Sequence, residues 1–294
     1  MSSSASLNPA FRPDHPQRSE SKKKKADPRR WYTALIFIPL LYAWIAYSPS
    51  WLFSILVGAT VLLALREFLI LYFGGTAPLP AQILSYLGAI GILLDLHEGF
   101  LPAIQGTGLG IVLLILAGFF LNPRGMRNYL PLWSAYPFGC LYVALLLGHF
   151  ILLRNMEQGI AIVLFVLIVT WLSDTGGYVV GRTFGRHPLA PRVSPKKTIE
   201  GFLGGIVFSL VGALMCQAWF FSFISQGQSI FLGVVLALCG TLGDLTESAI
   251  KRSVNIKDSG RLIPGHGGIL DRIDSLLLSA PGFYYYALAT GLLG

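Results

Sequence analysis

Apolar runs of membrane-crossing length follow one another through almost the whole chain. Crossing about 30 Å of hydrocarbon takes roughly 20 helical residues. Runs near residues 32–49, 50–73, 81–96, 101–121, 130–152, 159–173, 201–223, 229–246 and 269–293 meet or approach that length, with 81–96 the weakest. An unpaired backbone group in lipid costs several kcal/mol, so the runs read as helices. A chain that is 54% hydrophobic and 12% charged, with a mean hydropathy of +0.64, lies outside the soluble globular range. The expected fold is all-α: a polytopic integral membrane protein of about nine transmembrane helices.

Lys and Arg near span ends stay cytoplasmic. With nine spans, the basic tail, Arg124 and Arg127, the loop from Arg182 to Lys197 and the loop from Lys251 to Arg261 all share one side. That places the amino terminus in the cytoplasm. Three regions follow: a tail over 1–30, helices over 31–152, and a polar-rich helical region over 153–294. The formal charge of +8 is no nucleic-acid signal, because residues 1–30 hold eight cations and three acids, leaving only +3 for the remaining 264 residues. The tail has too little apolar content to fold; it serves either anionic headgroups or topology alone, and it does not read as a cleavable signal peptide. Cys140, Cys216 and Cys239 lie in apolar runs without paired spacing, which fits small core residues better than a zinc site or a disulfide framework.

Two polar regions interrupt the apolar pattern. Ionisable groups near hydrocarbon cost roughly 2.5–3.5 kcal/mol each, so such clusters mark function. Asp244, Glu247 and Lys251 are spaced to share a helix face, and Asp271 and Asp274 are again three apart after a glycine-rich turn. Two readings stand for these four carboxylates: interfacial ion pairs with Lys251, Arg252 and Arg272, or a hard-oxygen set for Mg²⁺. The second region, 173–205, combines glycines with Arg182, Arg186, Arg192, Lys196 and Lys197 and with the hydroxyls of Ser194 and Thr198. It suits phosphate binding, although topology alone also accounts for its cations. A carboxylate cluster and a phosphate-friendly loop on one surface together describe a site for a metal-bound polyphosphate.

From Ser248 to Asp274 the order Ser-x-Ile-Lys-Arg, Lys-Asp-x-Gly and Ile-Pro-x-His-Gly-Gly-Ile-x-Asp-Arg-Ile-Asp resembles the phosphatidate cytidylyltransferase (CDP-diacylglycerol synthase) family. Ser173–Tyr178 and Ser194–Gly201 are similar to upstream motifs of that family, while residues 1 to about 150 match by hydropathy alone. The resemblance implies CTP and phosphatidic acid as substrates, Mg²⁺ as cofactor with a second cation such as K⁺, a homodimer, and a bacterial plasma membrane with the active site facing the cytoplasm. It implies Asp244, Asp271, Asp274, Lys251 and Arg252 as catalytic. Glu247 joins the three aspartates as a metal ligand, and Asp174, Ser194, Lys196, Lys197, Thr198, Lys257 and His266 line the nucleotide side.

No general base is expected, because phosphatidate, with a second pKa near 6, already carries its attacking oxyanion; His266 is assigned an accessory role. Glu67 beside Arg66 reads as an interior ion pair. Asp258 and Glu200 read as supporting or ion-pairing groups, and Asp174 as a metal or nucleotide contact or a partner of Arg182. Rival functions are a CTP-dependent lipid kinase such as dolichol kinase, and a transporter, which would carry its charges near the bilayer midplane. The Asp-Gly-x-x-Ala-Arg pattern of a CDP-alcohol phosphotransferase is absent.

Overall fold

The computed structural model describes residues 29–98, 136–254, 256, 259–260 and 267–292. Contacts divide the chain into Met1–Ile38 and Pro39–Gly294, and the site lies in the second unit. The helices are α1 (Arg29–Tyr47), α2 (Ser50–Phe73), α3 (Leu79–Glu98), α4 (Tyr136–Asn155), α5 (Gly159–Phe184), α6 (Ile199–Trp219), α7 (Gln226–Ser253) and α8 (Leu270–Thr290).

Among the described residues five helices, α2, α4, α5, α6 and α7, are long and apolar enough to cross a membrane. The chain is therefore a multi-pass, mostly helical membrane protein. The run at 101–121 falls outside the described residues. Helix α8 is long enough but not apolar enough: Asp271, Arg272 and Asp274 at one end and three consecutive tyrosines, Tyr284–Tyr286, near the other lower its hydropathy.

Helix ends are set by local chemistry. Gly74 adopts φ 64° and returns its N–H to the end of α2, a left-handed closure that favours glycine. Ser225 and Gln228 form a reciprocal capping box at the start of α7. The Thr198 hydroxyl accepts the Gly201 N–H at 3.1 Å and so starts α6.

The all-α expectation needs one amendment. Between α5 and α6 the chain makes an antiparallel hairpin, β1 (Pro188–Ala190) with β2 (Ser194–Thr198), which carries Ser194, Lys196, Lys197 and Thr198. The Glu200 carboxylate, in the first turn of α6, holds the link between α5 and β1, accepting the Arg186 and His187 N–H groups at 3.0 and 3.2 Å and pairing with the His187 ring.

Helix α5 lies along α6, α6 along α7, and α7 along α8. In lipid no hydrophobic force drives helices together, so close contact depends on small residues. Gly177-x-x-x-Gly181 on α5 faces Gly201-x-x-x-Gly205 on α6; a methyl at Gly201 would stand 2.8 Å from the Gly177 carbonyl oxygen. At the far end of these helices Phe165 stacks on Phe221 with centroids 4.3 Å apart, and Phe283 meets both edge-on. All three rings are fully buried. Cys140 and Cys216 are buried free thiols and Cys239 is partly so, as their apolar settings led one to expect.

Candidate active site

Four helix ends converge at one end of the bundle: the carboxyl ends of α5 and α7 and the amino ends of α6 and α8. They enclose, with the hairpin, a cavity of about 660 Å³. One wall is acidic, with Asp174 from α5, Asp244 from α7, and Asp271 and Asp274 from α8. The same cavity is lined by cationic and polar side chains: Tyr178 and Arg182, one and two turns past Asp174 on α5, and Lys196, Lys197 and Thr198 from β2. Sequence spacing anticipated the carboxylates on α7 and α8 and the cations of the 173–205 region; the structure brings the two groups to a single cavity.

The acids differ in what holds them. Lys197 Nζ lies 2.6 Å from Asp244 Oδ2, a cross-link between β2 and α7. Asp174 Oδ2 accepts the Ser275 hydroxyl at 2.9 Å, and Asp274 Oδ1 accepts the Ser275 N–H at 2.8 Å. Ser275 thus joins carboxylates from two helices; sequence reasoning missed it, although it directly follows Asp274. Among the described residues no cation pairs with Asp174 or Asp274. Arg182 donates to the Tyr178 hydroxyl at 2.7 Å rather than to Asp174, which settles their relation against a helix-end pair.

Asp271 and Glu247 are spoken for. Lys251 Nζ pairs with the fully buried Glu247 and sits 2.7 Å from Asp271 Oδ1. The Ser259 and Gly268 N–H groups donate to Asp271 Oδ2 at 3.1 and 2.9 Å. Glu247, Lys251, Arg252 and Ser194 lie outside the cavity lining. Arg252 instead donates to the Val193 and Ile256 carbonyls at 3.4 and 3.5 Å, bracing the hairpin against the end of α7. Ion pairs thus form at Glu247, Asp271 and Asp244, the last with Lys197 rather than Arg252. Lys257, Asp258 and His266 fall outside the described residues.

The expected interior pair of Arg66 and Glu67 is not formed: Arg66 is exposed while Glu67 is buried and bonds to Ser259 and Leu270. Neighbouring helix residues point about 100° apart and cannot both face one partner.

The donor set fits a hard divalent ion. Asp174, Asp244 and Asp274 present oxygens to one cavity against the single paired cation Lys197. Among the described residues no group of three or more acidic, histidine or cysteine side chains is arranged to hold a metal ion unaided. Mg²⁺ is commonly held by one or two carboxylates, with water and substrate phosphates completing its shell, and an open carboxylate wall beside cations matches that arrangement.

Residues 28–290 match the pattern of the Cytidylyltransferase family. The chain is similar to the phosphatidate cytidylyltransferase of Staphylococcus epidermidis, with 34% identity over 252 residues, covering 84% of this chain and 92% of the relative. It is likewise similar to the phosphatidate cytidylyltransferase of Staphylococcus aureus, with 35% identity over 254 residues and the same coverage. A third, from Staphylococcus saprophyticus, is 43% identical over 135 residues, which cover 46% of this chain and 52% of the relative.

Proposed function

The chain belongs to the cytidylyltransferase family, and from that premise we propose how its cavity transfers CMP from CTP to phosphatidic acid, giving CDP-diacylglycerol and pyrophosphate. The observation that carries this reading is the gathering of four carboxylates and three cations around one cavity at the end of the bundle.

The chemistry asks for little acid–base help. With a second pKa near 6, about nine tenths of phosphatidate is already dianionic at pH 7. One of its oxygens attacks the α-phosphorus of CTP as the bond to the bridging oxygen breaks, and pyrophosphate leaves with that electron pair. The obstacle is repulsion between two anions, so catalysis reduces to positioning and charge stabilisation. Arg182, Lys196 and Lys197 hold the triphosphate, and Thr198 adds a hydroxyl. Asp244 and Asp274, with Asp174 beside them, would hold Mg²⁺, which neutralises charge developing on the phosphate oxygens. Glu247, Lys251 and Asp271 keep the α7 and α8 ends in register, and Arg252 keeps the hairpin over the cavity. A second cation such as K⁺ would share the acidic wall.

We place the cavity at the cytoplasmic interface of a bacterial plasma membrane, with about nine spans and the amino terminus inside. Supporting this, the lengths of α5 and α7, 26 and 28 residues, exceed the roughly 20 needed to cross; the excess turns carry Arg182, Glu247, Lys251 and Arg252, and Asp174 and Asp244 lie in the turns just before them. A headgroup then arrives sideways from the leaflet and CTP arrives from water. A homodimer, implied by resemblance alone, is checked by cross-linking in native membranes.

The test is lipid labelling from CTP with phosphatidate and Mg²⁺. The α-label is expected in lipid, and Asp274→Asn is expected to lower the rate by about 10²–10³-fold, the scale of removing one transition-state charge contact. Transfer of γ-label instead would make the chain a lipid kinase, and labelling indifferent to Asp274→Asn would remove the acidic wall from the mechanism.

A further inference from the structure

Glu67 is a carboxylate in the middle of the chain's apolar interior, 5% exposed, on a helix that contributes nothing to the cavity lining. Its Oε2 accepts the Leu270 N–H at 2.9 Å and the Ser259 hydroxyl at 3.3 Å. Its Oε1 is buried with no hydrogen-bond partner among the described residues. The chain closes tightly around it. A methyl at Gly260 would stand 2.6 Å from Oε1, and one at Gly268 would collide with both Oε2 and the Ser259 hydroxyl. A larger residue at either glycine of the carboxy-terminal motif would therefore have to displace the Glu67 carboxylate from its present bonds.

These bonds act on the site. Leu270 is the first residue of α8, and Ile269 before it offers no side-chain cap. The first N–H groups of a helix need acceptors and favour negative charge, and Glu67 supplies both from 203 positions away. Ser259, held by Glu67 through its hydroxyl, gives its N–H to Asp271. Gly267, at φ 84°, makes the turn that brings the Gly268 N–H to the same carboxylate. One turn on lies Asp274. We infer that Glu67 is a positioning residue of the transfer reaction: bridging Ser259 and Leu270, it fixes the turn from which α8 presents Asp271 and Asp274 to the cavity. The inference rests on the proposed use of that cavity.

The test compares Glu67→Gln with Glu67→Leu. The amide keeps one carbonyl oxygen that can accept both the Leu270 N–H and the Ser259 hydroxyl, as Oε2 does; the apolar side chain keeps volume and orphans both groups. Displacements near 1 Å can cost about 10²-fold in rate. Glu67→Leu is therefore expected to lose at least about tenfold in kcat and to raise the half-saturating Mg²⁺ at least about threefold. Glu67→Gln is expected to stay within about threefold on both. The KM for CTP should hold in both, since the cations of the cavity lie on other elements. Loss of folded protein would lower the rate without moving the Mg²⁺ requirement. A separate readout is amide exchange over Gly268–Asp271 in metal-free protein, expected to quicken in Glu67→Leu alone. Unchanged Mg²⁺ dependence in Glu67→Leu, or equal damage in both variants, overturns the inference. Should Glu67→Leu not fold, Ser259→Ala cuts the bridge from the loop side, and an unshifted Mg²⁺ requirement there overturns it equally. A wild type that puts no α-label into lipid would count against the reaction, whereas the exchange result would still decide the role of Glu67 in the turn.

Discussion

Lys251 is the residue on which the buried charge of the site depends. Among the described residues it alone pairs with Glu247, which is fully buried, and it shares itself with Asp271. Removing one partner of a buried pair leaves an uncompensated charge and costs about 3–5 kcal/mol. Lys251→Met should accordingly lower thermal stability in detergent by that order, and Glu247→Gln added to it should recover part of the loss. Equal melting temperatures for Lys251→Met and the parent would show that the pair is solvated. The contrast between Asp244 and Glu247 shows what spacing can and cannot reveal. Three residues on a helix turn through about 300°, so the two acids share a broad face yet diverge by about 60°. Asp244 opens to the cavity, while Glu247 is turned inward to Lys251. The role of Glu67 was legible only in part. Rotation between adjacent positions argues against a pair with Arg66, but nothing local to residue 67 points to a turn at residues 259–270.

At the level of elements, apolar length disclosed the helices and glycine spacing explains how two of them meet. Gly177 and Gly181 against Gly201 and Gly205 let α5 and α6 approach backbone to backbone, and this contact sets the width of the cavity between them. Gly201→Val would push a branched side chain against the Gly177 carbonyl. Overpacking of this kind costs typically about 1–3 kcal/mol, and the helices would part beside Asp174 and Thr198. We expect lower thermal stability and a larger relative loss in kcat/KM for CTP, and neither change in a control such as Leu203→Val, whose side chain is exposed. The hairpin was hidden in the sequence for a physical reason: its strands have three and five residues, and prolines at 188, 191 and 195 mask any alternation of polar and apolar positions. Its function was nevertheless visible, because the cations it carries have no apolar face to cover.

Across the whole molecule, the site's location follows from which helix ends bear charge. Helix α5 begins at Gly159, just after Glu157, and ends past Arg182, and its 26 residues span about 39 Å at 1.5 Å each. A segment of that length reaches from one interface to the other, so Glu157 and His187 must face opposite compartments if α5 crosses. In the proposed topology the positive charge from Arg182 to Lys197 marks the hairpin side as the cytoplasmic one. In sealed vesicles, Glu157→Cys should react with an impermeant maleimide only from the outer face and His187→Cys only from the cytoplasmic face. The native thiols interfere little, since Cys140 and Cys216 are buried and Cys239 is partly so. Substrate should protect the second position alone, because His187 is bonded to Glu200 at the start of α6 and directly precedes the hairpin that lines the cavity. Labelling of both positions from one face would mean that α5 does not cross, and the cavity would then open somewhere other than the interface at which a lipid headgroup and a water-borne nucleotide can meet.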